Sequence, residues 1–294
     1  KFSGSAIIGG ILFYNKHHPR PATQEVVAVD LHTGETLWQR PLTTPNGDVH
    51  RLSMAQQLYH DSFNYHAVFD FLWAMESAGS FFNPINLWHA FDPFTGDWMY
   101  SMEGVPSTGI RFGAQYTNRG PKGEFLIYQI NQNNGWLAVW NSTRVVYGDA
   151  TGFDQGSFRP YGQTYNASRG YQSNVTFPTG LEPLRFITET KAYGNDVSGW
   201  GNIGDNPVNQ WCVDLCTGEL LWQNSWTPPP GELSLSAGAR SDEEGIFVIQ
   251  SKETRQLWGF SLETGQQVWG PTDPMHYLGI YGINTQIAYG KVIV

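Results

Sequence analysis

Apolar residues fall along this chain in short runs, separated by clusters of Gly, Pro, Asn, Asp and Thr. Ala6–Tyr14, Ala67–Met75, Glu124–Ile130 and Gly245–Gln250 have the length and content of β-strands, the first as a pair broken by glycines. Each precedes a second apolar stretch, as at Val26–Leu31 and Leu257–Leu262. No segment sustains helical periodicity; Ser53–Leu58 reads as a single turn of helix at most.

The second stretch of each pair opens a recurring phrase. Ala28-Val-Asp-Leu-His-Thr-Gly-Glu-Thr-Leu-Trp38, Ala90-Phe-Asp-Pro-Phe-Thr-Gly-Asp-Trp-Met-Tyr100, Cys212-Val-Asp-Leu-Cys-Thr-Gly-Glu-Leu-Leu-Trp222 and Gly259-Phe-Ser-Leu-Glu-Thr-Gly-Gln-Gln-Val-Trp269 share one register. The residue four before the Gly is Asp30, Asp92, Asp214 or Ser261, at intervals of 62, 122 and 47. A degenerate copy, Gly135-Trp-Leu-Ala-Val-Trp-Asn141-Ser-Thr143, divides the long interval but lacks the Thr-Gly turn and the later Trp. The Asp or Asn side chain can accept hydrogen bonds from the turn backbone, and Gly supplies positive φ. Four short strands per roughly 40–50 residues, with an aromatic in each unit, describe a propeller blade.

This Ala-x-Asp-x-x-Thr-Gly-x-x-x-Trp phrase resembles the repeat of quinoprotein-like (PQQ-like) β-propellers, over most of the chain from about residue 6. The resemblance implies an all-β propeller of four-stranded antiparallel blades, about six or more when complete. Residues 1–294 would be a single partial propeller, a fragment of a longer protein. It also implies that Trp38, Trp222 and Trp269, with Tyr100 as a replacement, lock each blade to the next by stacking on the neighbouring turn. The family holds quinone-dependent alcohol and sugar dehydrogenases as well as binding and scaffold propellers, so fold does not select function.

The alcohol-oxidising members carry adjacent cysteines on the quinone, a Trp beneath it, an Asp base and Glu/Asn ligands for calcium. Here Cys212 and Cys216 are separated, and the register makes Cys212 a small core residue and Cys216 a turn residue. The remaining candidates are sparse. His60-Asp61 with His66 is the one histidine group with metal character, in a segment read as a loop leading into a strand. Asp149…Asp154 and Asp196…Asp205 are acidic Gly-containing loops without a calcium-loop pattern. Nucleophile-elbow, phosphate-loop and dinucleotide motifs are missing. Trp73, Trp88, Trp136, Trp140 and Trp258 lie in apolar strands and read as blade packing.

A net charge of −9 without Lys/Arg runs gives no support for nucleic-acid binding, and no apolar run approaches membrane-spanning length. The least repeat-like stretch, a polar insertion at about 147–210, holds the sequons at Asn166 and Asn174, with a third at Asn141 in a repeat turn. It also holds Tyr161, Tyr165 and Tyr171 among polar residues, a composition that suits a binding loop. The expectation is a non-enzymatic extracellular or cell-surface glycoprotein, acting as scaffold or as binding module for other proteins or glycans. No catalytic, cofactor or metal residue is predicted. Calcium or pyrroloquinoline quinone belongs to the alternative, a quinone- or metal-dependent oxidoreductase with catalytic residues partly outside this chain. A third reading is an assembly-factor propeller acting only through protein contacts.

Overall fold

The computed structural model describes residues 3–16, 24–62, 65–80, 83–106, 117–147, 160–197, 207–231, 233–276 and 284–294. The architecture is an all-β propeller of four-stranded antiparallel blades, built from strands consecutive in the chain except where Thr164–Asn166 leaves the third blade's run to join the second blade. The first blade comprises Ser3–Ile8, Ile11–Lys16, Glu25–Asp30 and Thr36–Arg40. The second comprises Met54–Ser62, Tyr65–Ser80, Asn83–Phe91 and Trp98–Val105, with Thr164–Asn166 added in parallel at its outer edge. The third takes Thr117–Arg119, Phe125–Asn131, Trp136–Asn141 and Tyr171–Thr176. Leu184–Ile187, Lys191–Asn195, Val208–Asp214 and Leu220–Trp226 form the fourth. Leu235–Ser241, Ile246–Ser251, Leu257–Ser261 and Gln267–Trp269 form the fifth. Two ribbons accompany them: Leu42–Thr43 with Val49–His50, and Gln286–Ala288 with Lys291–Ile293.

The repeat turn does what its residues require. Asp30 Oδ1 accepts from the His32 and Thr33 amides at 2.7 and 2.9 Å, Asp92 from Phe94 and Thr95, and Asp214 from Cys216 and Thr217. The Gly amide then closes the turn onto the Asp carbonyl, with φ of +77°, +74° and +75° at Gly34, Gly96 and Gly218. Those amide bonds favour the ionised carboxylate and lower the pKa of Asp30.

Trp38 and Trp222 each reach the turn of another blade. Trp38 donates its indole N–H to the Pro93 carbonyl of the second blade's turn at 2.9 Å, and Trp222 donates to Leu262 of the fifth blade's turn at 2.9 Å. The turn glycine lies under the indole. A Cβ on Gly265 would meet Trp222 Cζ3 at 2.5 Å, and one on Gly96 would meet Trp38 Cη2 at 3.5 Å. Two residues beyond each Trp, Arg40 and Asn224 donate to the carbonyls of Thr95 and Thr264, both at 2.9 Å. Trp269 instead packs on its own sheet over Gly259, beside Met275, Ile287 and Val292. Tyr100 is also placed differently. It is buried, edge-on to Phe71 and Trp73 at 5.5 Å and to Tyr165 at 5.7 Å. A register shift between Trp98 and Tyr100 accompanies this placement in the core. In the third blade Val175 and Thr176 receive the Gly218 turn in place of an aromatic.

Two further readings change. Ser53–Leu58 makes no helical turn and is strand from Met54 on: buried and exposed residues alternate from Gln56 to His60. The apolar pattern is broken by buried Gln56, whose amide accepts from the Trp73 indole and donates to the Gly123 carbonyl. The polar stretch 147–210 is not one insertion either. It supplies the last strand of the third blade, two whole strands of the fourth and the start of another, and among the described residues only the part before Tyr171 departs from the blade plan. Residues 148–159 and 198–206 lie outside the described residues, Asp149, Asp154 and Asp205 among them.

The chain forms two compact units: Lys1–Ser107 with Arg119–Ile127 and Val139–Ser173, and Thr108–Asn118 with Tyr128–Ala138 and Asn174–Val294. The first unit's core is aromatic, with Trp73, Trp88 and Trp140 meeting edge to face at 5.7–5.9 Å. Each such ring removes about 150–250 Å² from water, roughly 4–6 kcal/mol at 25 cal/mol per Å². The second unit's core centres on Tyr193, Phe247, Trp258 and Phe260.

Candidate functional site

The chemistry-bearing residues of the repeat are occupied structurally. Cys212 is fully buried, and burial pushes its thiol up to about 12, so it is neither a nucleophile nor a thiolate ligand at neutral pH. Cys216 is exposed in the turn, and neither cysteine is in a disulfide. His32 contributes its amide to the Asp30 turn. His60 does not join Asp61 and His66. Asp61 pairs with His66 and His60 with Ala67, so strand alternation sends His60 to the opposite face, where it is stacked on Tyr147 at 4.4 Å.

A different group converges in the first unit. His50 ends the short ribbon strand, Glu76 lies on Tyr65–Ser80 and His89 on Asn83–Phe91. His89 is registered against Ala74, so Glu76 is its diagonal neighbour on the same face. His50 Nδ1 is 3.3 Å and His89 Nε2 is 4.0 Å from Glu76 Oε2, and the two imidazoles stand 4.4 Å apart. Both histidines are buried, while Glu76 is 42% exposed.

Hydrogen bonds behind the rings fix their orientation. His50 Nε2 meets Thr44 Oγ1 at 3.1 Å, and that hydroxyl donates to Asn46 Oδ1 at 2.6 Å. Asn46 is itself oriented, because its Nδ2 donates to Asp48. With its own hydrogen directed at Asn46, the Thr44 hydroxyl is left to accept from His50 Nε2, and Nδ1 faces Glu76. His89 Nδ1 is 2.7 Å from Ser101 Oγ, which also accepts the Trp98 indole N–H at 3.0 Å. Among the described residues, His89 Nε2 is buried without a hydrogen-bond partner. Burial, and secondarily the neighbouring His50, lower the His89 pKa to about 4, so its ring is neutral at physiological pH.

His89 and Ser101 also line a cleft of about 450 Å³ with Thr44, Pro45, Asn46, Leu87, Trp98, Gly162, Gln163 and Thr164. Its far wall comes from the segment before Tyr171: Gly162 donates to Met99, and Ser101 donates to Gln163, which holds that edge strand on the second blade. The three tyrosines do not form one patch. Tyr161 is exposed beside the cleft, Tyr165 accepts from Gln163 and packs on Tyr100, and Tyr171 is on the third blade's edge. Asn166 and Asn174 are exposed; Asn141 caps the helix Ser142–Tyr147 through Thr143 and donates to Gln172.

His50 and His89 carry one usable sequence signal. The residue before the small residue of each repeat is Val27, Ala138, Trp211 or Trp258, and in the second blade it is His89. A polar exception at an apolar register position marks a site. His50 has no such mark, because it lies between blades outside the repeat.

No family model matches the sequence. No curated protein matches it either. Among solved structures, the chain is similar to the β-propeller domain of the trilobed protease from Pyrococcus furiosus, at 9% identity and TM-score 0.41, covering 99% of this chain and 75% of that one. It is similar to Sqt1 of Saccharomyces cerevisiae, at 13% identity and TM-score 0.39, covering 97% and 63%. A europium-containing methanol dehydrogenase gives 13% identity and TM-score 0.35, covering 90% and 50%. The chain thus spans less than two thirds of the last two. At these values the likenesses add nothing on function.

Proposed function

We propose that this chain is a non-enzymatic binding propeller whose ligand site is the cleft on the second blade, and that the ligand is a neutral, hydroxyl-rich group of glycan type. The observation that carries this reading is the lining of the cleft. Hydroxyl, amide and neutral imidazole groups from Thr44, Asn46, His89, Ser101, Gln163 and Thr164 surround the half-buried Trp98, and no ionised side chain is among them. Uncharged donors and acceptors around an aromatic ring match a sugar's alternating hydroxyls and C–H faces better than they match an ionic ligand. The segment before Tyr171, which departs from the blade plan, supplies one wall, as expected of a specificity element on a regular scaffold.

The Thr-Gly/Trp phrase supports membership of the quinoprotein-like repeat propellers. The exposed sequons Asn166 and Asn174 support an extracellular or cell-surface glycoprotein. A glycan array followed by saturation-transfer NMR tests the ligand class. Binding should be weakened by Trp98→Ala and by Gln163→Ala, the second an exposed change that spares the fold. Absence of glycan binding, or binding indifferent to Gln163→Ala and Trp98→Ala alike, refutes the proposal.

A further inference from the structure

We infer that His50 Nδ1, His89 Nε2 and Glu76 Oε2 form a binding site for one divalent first-row transition-metal ion of the zinc class. The inference goes beyond the glycan reading and stands without it. Three donor atoms from three separate strands lie within 4.8 Å of one another. Zinc–ligand bonds of about 2.0–2.1 Å at tetrahedral angles place donors about 3.3–3.4 Å apart. The His50–Glu76 separation of 3.3 Å meets that spacing; the His89–Glu76 separation of 4.0 Å exceeds it by less than 1 Å. Glu76, being 42% exposed, is free to close the gap.

The hydrogen bonds behind the rings point the same way. The Thr44 contact at Nε2 leaves His50 Nδ1 facing the Glu76 carboxylate at 3.3 Å. His89 Nε2 is a buried polar atom with no hydrogen-bond partner among the described residues, 4.0 Å from the same carboxylate. One ion coordinated by all three gives that nitrogen a partner. Two imidazoles with one carboxylate favour zinc, iron, nickel or copper over calcium, which prefers an all-oxygen shell. Thr44 and Ser101 supply the outer hydrogen bonds that fix ring orientation in such centres. The exposed side of Glu76 leaves a coordination position for water or a ligand atom.

The test uses the intact tag-free chain, stripped with chelator and titrated with Zn²⁺ by calorimetry, then with Co²⁺ by visible absorption. One equivalent of Zn²⁺ should bind, and Co²⁺ should give the d–d bands of a low-coordinate nitrogen–oxygen site. Glu76→Gln and His50→Asn should each weaken binding by more than about 100-fold, because even outer-shell partners are worth roughly 10–100-fold. Ser101→Ala, acting through the orientation of His89, should weaken it about 10–100-fold. His66→Ala, an exposed histidine outside the group, should change nothing. No stoichiometric binding, or binding unaffected by Glu76→Gln, overturns the inference. Since the Glu76 side chain is 42% exposed, Glu76→Gln remains informative even where a histidine variant fails to fold.

Discussion

Replacing Gly265 by Ala tests whether adjacent blades are held by an aromatic resting on a bare turn. Two costs are expected. At φ +67° any L side chain is disfavoured by about 1–2 kcal/mol. The new methyl would also sit 2.5 Å from Trp222 Cζ3 and 2.6 Å from Asn224 Nδ2, and overpacking of that kind adds about 1–3 kcal/mol. The total is about 2–5 kcal/mol. Truncating Trp222 removes most of the clash, so in a Trp222→Ala background Gly265→Ala should cost only about 1–2 kcal/mol. The coupling between the two sites is then about 1–3 kcal/mol. Gly34→Ala serves as the control. It has the same turn hydrogen bond and a φ of +77°, but open space where the methyl would go, and should cost only about 1–2 kcal/mol. The assay is urea unfolding by far-ultraviolet circular dichroism, with amide exchange in Leu257–Ser261 reporting on the second unit. Equal cost of Gly265→Ala with and without Trp222 would refute the lock.

Other outcomes follow from single residues. In native protein at pH 8 a thiol reagent should modify Cys216 and not Cys212, whose pKa of about 12 leaves almost no thiolate; one thiol should react before denaturation and two after. The same shift bears on stability. The folded pKa is raised above 9.0, so the contribution is intact below pH 9 and fades as pH rises toward 12, and Cys212→Ala should remove that alkaline slope. Asn224→Ala should cost about 1–2 kcal/mol, since it takes a donor from Thr264 and an acceptor from Gln210. Intact mass from a glycosylating host should show added mass at Asn166 or Asn174; unmodified protein would remove the argument for export. Titration with pyrroloquinoline quinone and calcium should give no saturable signal, and tight binding would favour the oxidoreductase alternative.

The fold was legible in the sequence because the blade is written four times in one register. The Asp, the Gly and the Trp of each copy have separate physical tasks, and Asp30, Gly34 and Trp38 perform them within nine residues. Where the phrase degrades, the reading weakens. Tyr100 keeps the aromatic of the motif yet belongs to the core, because Tyr165, more than sixty residues later, packs against it. The 147–210 stretch looked foreign in part because its first blade strand is polar on its outer face: Gln172 and Asn174 are exposed on the edge strand of the third blade. The His50–Glu76–His89 group was the least legible part. Its members come from a two-residue strand, a sixteen-residue strand and a motif strand; pairing register unites Glu76 with His89, and His50 joins them from a separate ribbon.

The anomaly of His89 permits one more test, because the repeat itself specifies the residue that a purely structural blade would carry there. The corresponding positions are Val27, Ala138, Trp211 and Trp258, all apolar. His89→Leu restores that character, removing a buried nitrogen without a partner and sacrificing one bond to Ser101. An unsatisfied buried polar group costs about 1–3 kcal/mol and an ordinary hydrogen bond contributes about 1, so in chelated buffer the variant should match or exceed the native chain by up to about 2 kcal/mol. Zinc should reverse the order. Binding at a concentration 100 times Kd adds about 2.7 kcal/mol to the native protein alone. A chain that gains stability from losing His89 only while metal is absent retains the histidine for the ion. A loss of more than 1 kcal/mol in chelator would instead make His89 a packing residue, satisfied where it stands.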